Sequence, residues 1–157
     1  MLNLPNWNLP AIFAISEEEC TRKHDKTQST KTKQNTVNET GNTSKFRALE
    51  ERTTAFAKRV IHLCQSLPEN RVNNPLVSQV VRSSGSIGAN YREANEALGK
   101  KDFLYRLRLA RKEGKETQHW FELIAEANPN VAARMTALFQ EVHELRNILS
   151  AIIEKAK

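Results

Sequence analysis

Glu116 and His119 are the residues of this chain whose spacing matches a metal-ligand pair. They stand three positions apart, like the Glu-x-x-His pairs that hold two metal ions in ferritin-like helical bundles. Such sites need two pairs, and the chain has no second one, because neither His62 nor His143 has a glutamate three positions before it. Both residues also point away from the apolar stripe of their predicted helix. We therefore expect no metal site.

A run of glycines and serines at residues 82–94, RSSGSIGANYREA, is the next candidate for chemistry. Each glycine inside a helix costs about 1 kcal/mol relative to alanine, so glycines persist there for a reason. A phosphate-binding loop would follow a strand and end in Gly-Lys-Ser/Thr, and this run does neither. The small residues at positions 84, 85 and 88 lie close to one helical face. We interpret the run as a close contact between helices.

The cysteines and histidines do not form a catalytic pair. His62 and Cys64 are two positions apart, and helical residues at that separation diverge. Cys20 and Cys64 lack metal-ligand spacing, and Cys64 falls on an apolar face, so a buried free thiol in a reducing compartment is expected. We predict a protein that is not an enzyme and that uses no cofactor.

A basic helix face is the feature most suggestive of binding. Residues 100–117 contain seven basic and three acidic side chains. The predicted nucleic-acid-binding residues are Lys101, Arg108, Arg111, Lys112 and Lys115. Four of them recur on the stripe opposite the apolar one, with Arg111 beside them. Tyr105 and His119 share the outward stripe and could stack on bases. The alternative is a solvated helix face partly neutralised by Glu113 and Glu116.

The overall charge agrees with either interpretation. Residues 46–157 hold 18 Lys/Arg and 13 Asp/Glu, a net charge of +5, while residues 1–45 hold 6 and 5, a net of +1. The basic excess of the folded part suits a polyanionic partner, and equally a solvated surface. No apolar run approaches the length of about 20 residues that spans a bilayer. Since Met1 to Ser16 also makes a poor signal peptide, we expect a cytoplasmic protein.

The secondary structure that carries these residues can be predicted from apolar residues spaced three and four positions apart. They predict one helix from Phe46 to Leu67 and a second from Asn74 to Leu98. A third helix begins near Lys100, and a fourth runs from Pro129 to the end. Strand signals are absent. Four helices of roughly 20 to 28 residues with short links predict an all-α fold, an antiparallel up-down-up-down four-helix bundle.

The predicted core stripes are one per helix. The first comprises Phe46, Leu49, Thr53, Phe56, Val60, Leu63 and Leu67. The second comprises Val77, Val80, Ser84, Ile87, Tyr91, Ala94 and Leu98. The third comprises Phe103, Leu107, Ala110, Gly114, Thr117, Phe121 and Ile124. The fourth comprises Val131, Met135, Leu138, Val142, Leu145, Leu149, Ile152 and Ala156.

Further apolar residues lie beside these stripes. They are Phe139, Ile148 and Ile153 on the fourth helix, and Leu104, Leu109, Trp120 and Leu123 on the third. Some can widen the core, but together they exceed what a four-helix bundle needs. Exposed apolar patches usually mark association, so we expect self-assembly.

The segment before the bundle has a different composition. Residues 21–45 contain one aliphatic residue, Val37, and such a polar segment cannot bury enough surface to become ordered. The first twenty residues include Trp7, Ile12, Phe13 and Ile15, which suit a docking peptide or an extension without a role. We predict a poorly ordered extension and linker at 1–45 and a bundle domain at 46–157.

The chain resembles the bacterial four-helix bundle proteins known as 23S rRNA intervening-sequence or S23-like proteins. The resemblance covers about residues 46–157 and rests on the segments 75–79 (PLVSQ), 82–94 (RSSGSIGANYREA), 100–103 (KKDF), 108–113 (RLARKE) and 149–153 (LSAII), with Glu116 and Trp120. Two positions depart from the family pattern. Gly99 replaces a helix-capping serine, which weakens a capping box with Asp102, and Gly114 replaces an alanine.

This resemblance implies a left-handed bundle assembled as a ring-like homopentamer, without enzymatic activity. Some members are encoded within insertions in 23S rRNA genes. A related group comprises accessory proteins of diversity-generating retroelements, which bind a reverse transcriptase and its RNA through a basic surface. We therefore expect an oligomeric scaffold that binds RNA or a ribonucleoprotein. The alternative is a protein–protein interaction module that binds no nucleic acid.

Overall fold

The computed structural model describes residues 34–157, and their side chains from Phe46 onward. Four α-helices follow one another: α1 Gln34–Gln65, α2 Asn73–Asn95, α3 Lys100–Ala127 and α4 Pro129–Ala156. The described part contains no strand, and the all-α prediction is confirmed. None of these four helices combines the length and apolarity that a bilayer crossing requires. The predictions for residues 1–33 lie outside the described residues.

Two helix boundaries differ from the predicted ones. α1 begins at Gln34, twelve positions before Phe46, so part of the predicted linker is helical. Each added residue of a growing helix gains a backbone hydrogen bond, so a helix can extend beyond its apolar stripe. α2 ends at Asn95, and Leu98, predicted to be core, is 92% exposed. Leu98 lies in the connection before α3, where no helix directs it inward.

Hydrogen bonds between side chains show which helices are neighbours. At least one joins each pair of neighbours around the bundle: Asn95 to Glu50 (2.7 Å), Thr117 to Ser83 (3.0 Å), Arg146 to Gln118, and Arg52 to Glu141 (2.7 Å). The order around the bundle is therefore α1, α2, α3, α4 and back to α1. Since short connections join consecutive helices, each runs antiparallel to its neighbours. The predicted up-down-up-down bundle is confirmed.

The core lies along the centre of the bundle and is aromatic near its middle. Phe121 contacts Phe56 and Phe139 edge to face, with ring centroids 6.2 and 5.4 Å apart. Ile153, predicted to be surplus, is a core residue with 2% exposure, whereas Ile152 is half-buried. Both follow Leu149 at helical spacing, so the periodicity could not choose between them.

Most of the other surplus apolar residues also widen the core. Leu104 is buried, and Trp120, Phe139 and Ile148 are half-buried against the core. Leu123 remains 39% exposed. The apolar excess is thus smaller than the periodicity indicated, because α3 and α4 bury more than one stripe each.

The glycines of the 82–94 run have different surroundings. Gly88 is buried, and a Cβ there would lie 2.9 Å from Thr53 Oγ1 and 3.3 Å from Thr53 Cβ. Its small size lets α1 and α2 approach, as predicted for the run. Gly85 is exposed, and a Cβ there would have no atom within 4 Å. The packing interpretation is therefore confirmed at Gly88 and wrong at Gly85.

Alanine at these two positions should have opposite effects on stability. Gly85→Ala should raise the free energy of unfolding by about 1 kcal/mol, because alanine favours the helix and meets no neighbour. Gly88→Ala should lower it by about 1–3 kcal/mol, because the methyl group displaces buried Thr53. Urea unfolding followed by circular dichroism measures both. A loss of stability in Gly85→Ala would mean that another molecule packs on this face.

Candidate nucleic-acid interface

The outward face of α3 is the face opposite its buried residues. Leu107, Ala110, Gly114 and Thr117 are all buried in the bundle. A Cβ at Gly114 would lie 2.8 Å from Arg146 Cγ, so this glycine admits the α4 side chain. Because a helix repeats every 3.6 residues, burial of this stripe directs the opposite stripe into solvent.

Four of the five predicted binding residues occupy that solvent stripe. Lys101, Arg108, Lys112 and Lys115 are exposed and follow one another at helical spacing. Fourteen helical positions separate the first from the last, a distance of about 21 Å along the axis. Arg111 is half-buried on the flank that faces α4. The structure thus brings four of these cations onto one face and sets the fifth beside it.

The ion pairs of the described residues do not include the predicted binding cations of this face. Among the residues that the structure describes, no carboxylate lies within 4 Å of the five predicted cations, as the ion pairs are elsewhere. Arg106, on the flank of α3 facing α2, is paired with both Glu93 and Asp102. Within the described residues, the α2 flank of α3 therefore has ion pairs, whereas the cations of its outward face have no carboxylate within 4 Å.

Glu113 and Glu116 do not neutralise the face by direct contact. Glu116 lies four positions after Lys112, yet its carboxylate accepts a 2.7 Å hydrogen bond from Arg82 of α2 and a 3.4 Å bond from Trp120 Nε1. Glu113 is half-buried, and burial, with a smaller effect of the Glu116 charge, raises its pKa. Neither carboxylate forms an ion pair with the five predicted cations within the described residues, and the alternative of a partly neutralised face depends on longer-range effects such as that of the Lys112 charge on the pKa of Glu113.

Arg82 influences this region, although the sequence analysis did not single it out as a functional residue. It belongs to the glycine-serine run on α2 and holds Glu116 away from Lys112. The two partners stand 34 positions apart, so no spacing rule connects them. Arg82 thus keeps the outward face of α3 more basic than the composition of α3 alone indicates.

The family model described as 23S rRNA-intervening sequence protein matches residues 48–151. The chain belongs to this family. A crystal structure of a protein of unknown function from the S23 ribosomal protein family of Bacteroides thetaiotaomicron is similar, with a TM-score of 0.64 and 30% sequence identity. The match covers 70% of this chain and 98% of the other. No functionally curated protein matches the chain.

In this member of the intervening-sequence protein family, the basic face lies wholly inside the matched region. It is also bounded along α3, because exposed Glu122 and Glu126 follow on the same side of the helix. At its other end, Lys101 stands in the first turn, where the positive end of the helix dipole adds to its field. The cations of this face thus lie within the first 16 of the 28 residues of α3.

The α4 flank carries one compensating carboxylate. The pKa of Glu154 is lowered, chiefly by a hydrogen bond from Lys157 and its charge, and to a smaller extent by the charges of Arg111 and Arg108. Of the predicted binding residues, Arg111 therefore has the largest effect on the pKa of Glu154. The four residues of the outward stripe are the better candidates for contact with a polyanion.

Glu116 and His119, whose spacing resembles a metal-ligand pair, each contact another side chain in this family member. Glu116 is bound to Arg82, and the imidazole of His119 packs against the indole of Trp120 with centroids 5.1 Å apart. Within the described residues, no group of three histidine, cysteine or acidic side chains could hold a metal ion. Burial raises the pKa of the Cys64 thiol to about 11, so this thiol is protonated at neutral pH.

Proposed function

We propose that this intervening-sequence family protein is a non-enzymatic, oligomeric helical scaffold that binds RNA or a ribonucleoprotein through the outward face of α3. The observation that supports this most strongly is the row Lys101, Arg108, Lys112 and Lys115, exposed and without ion pairs among the described residues. Phosphate backbones are bound by such rows, since each cation that meets a phosphate releases a condensed counterion.

The proposed partners are inferred from the family. Its description concerns sequences that interrupt 23S rRNA, so structured RNA in the cytoplasm is the proposed ligand class. A reverse transcriptase with its RNA is the ribonucleoprotein suggested by the resemblance to retroelement accessory proteins. The same resemblance suggests a homopentamer, in which five copies would repeat the basic face and increase its avidity.

The proposal includes no catalytic step and no cofactor. The protonated Cys64 thiol is a poor nucleophile, and the carboxylate of Glu116 is bound to Arg82. Between residues 100 and 115, the exposed charged side chains without ion pairs among the described residues are cations, which suit the binding of phosphates.

Salt dependence of RNA binding tests the proposal. Four phosphate contacts on a single-stranded segment predict that log K falls with log salt concentration with a slope of about −2.8 for each bound copy. Affinity should therefore fall roughly 50-fold between 50 and 200 mM salt, and more steeply when several copies engage one RNA. Fluorescence anisotropy with labelled RNA measures the slope. Absence of binding at low salt, or binding indifferent to salt, would contradict the proposal.

A second candidate function is a protein–protein interaction module. The observation that favours it is the exposed Leu123 beside half-buried Trp120 on α3, since exposed apolar groups often mark interfaces. This function predicts no RNA retention above low salt together with specific copurification of a partner protein. Leu123→Ser should then abolish the copurification and leave the circular dichroism spectrum unchanged.

A further inference from the structure

Tyr105 is an aromatic residue without a core role. The chain has two tyrosines: Tyr91 is buried in the bundle, whereas the Tyr105 side chain is 55% exposed. Exposure of a large ring costs hydrophobic free energy that a smaller or charged residue would avoid. The packing of the core therefore does not require a ring at this position.

Tyr105 lies within the row of cations. It follows Lys101 by four positions and precedes Arg108 by three, so it falls on the same outward stripe of α3. Arg108 and Lys112 continue the row beyond it. A ligand that follows these cations along the helix must pass over the ring.

The ring is also supported from one side. The guanidinium carbon of Arg106 lies 5.9 Å from the ring centroid of Tyr105. Arg106 is itself held by Glu93 on α2 and by Asp102, whose carboxylate lies 3.7 Å from Arg106 Nε. A paired arginine thus backs the ring and leaves its exposed part to solvent.

We propose that Tyr105 is a base-stacking residue and that the RNA bound at this face is single-stranded or looped. The inference rests on the proposed function and specifies its ligand. In a duplex the bases are stacked on one another, and the deep, narrow major groove of A-form RNA keeps side chains from them. An unpaired base can turn outward and stack on an aromatic ring while the flanking phosphates meet the cations.

The test compares one short unstructured RNA strand with the same strand annealed to its complement, using full-length protein and fluorescence anisotropy. Tyr105→Ala should weaken binding of the single strand about 10-fold and leave duplex affinity within about twofold. The slope of log K against log salt should stay unchanged, because no charge is removed. Tyr105→Phe, which keeps the ring, should bind the single strand like the parent.

Ile61→Ala is the matched control, since it shortens an exposed apolar side chain on α1, a helix that carries none of these cations. It should leave both affinities unchanged. The inference is overturned if Tyr105→Ala weakens neither strand or both equally, or changes the oligomeric mass, which would place the ring in a subunit interface. In those cases salt-dependent RNA binding by the parent would still support the proposed function. If the parent binds neither RNA, the proposed function fails, and the inference fails with it.

Discussion

Replacement of Lys101, Arg108, Lys112 and Lys115 together by glutamate should abolish RNA binding, with a loss of affinity on the order of 100-fold or more. The substitutions remove four cations from one face and place four carboxylates against the phosphates. Binding is measured by fluorescence anisotropy at low salt, where the parent binds best.

The same variant should remain folded. Its four positions are exposed and have no ion pairs among the described residues, so no internal contact is lost. Glutamate is a good helix former, and at position 101 it would interact favourably with the helix dipole. Arg111 is left in place, because it is half-buried and its charge contributes to the lowered pKa of Glu154 on α4. Circular dichroism and molecular mass should match those of the parent.

A control variant separates local from overall charge. Four other exposed cations without ion pairs among the described residues lie off α3 and can be reversed to glutamate: Lys58, Arg59, Arg71 and Arg134. The net charge then changes by the same amount. This variant should retain most of the RNA affinity of the parent. Equal losses in the two variants would show that total charge, rather than the outward face of α3, determines binding.

Phe121→Ala should lower the free energy of unfolding by about 4 kcal/mol. The Phe121 side chain is fully buried and contacts the rings of Phe56 and Phe139. Truncation leaves a cavity among α1, α3 and α4 and removes both edge-to-face contacts. Since domains of this size are stable by about 5–15 kcal/mol, the loss is a large part of the total. Urea unfolding at fixed protein concentration measures it.

Phe103→Ala is the matched control on the same helix. Phe103 is half-buried, so part of its ring already meets water and its truncation should cost less than half as much. Similar losses for Phe103→Ala and Phe121→Ala would contradict the placement of the core around Phe121. The contrast also tests the rotation of α3, on which the outward direction of its cations depends.

Much of the fold could be predicted from apolar periodicity. The stripes of the first and third helices, Phe46 to Leu67 and Phe103 to Ile124, are buried or half-buried as predicted, and Pro129 begins α4. The same regularity predicted the outward direction of Lys101, Arg108, Lys112 and Lys115. Periodicity was less informative at helix ends, where Leu98 and the choice between Ile152 and Ile153 depended on where the helices stop and how they pack.

The pairing of charges could not be predicted in the same way. Local spacing offered Lys112 as a partner for Glu116, but the folded chain pairs Glu116 with Arg82. Sequence likewise did not distinguish Gly88, which Thr53 approaches closely, from open Gly85. The helices and their faces follow from sequence because a 3.6-residue repeat sorts apolar from polar side chains locally. Partners across helices depend on the rotation and separation of the packed helices. The tertiary structure was therefore needed to identify which cations have no ion pair within the described part of the chain.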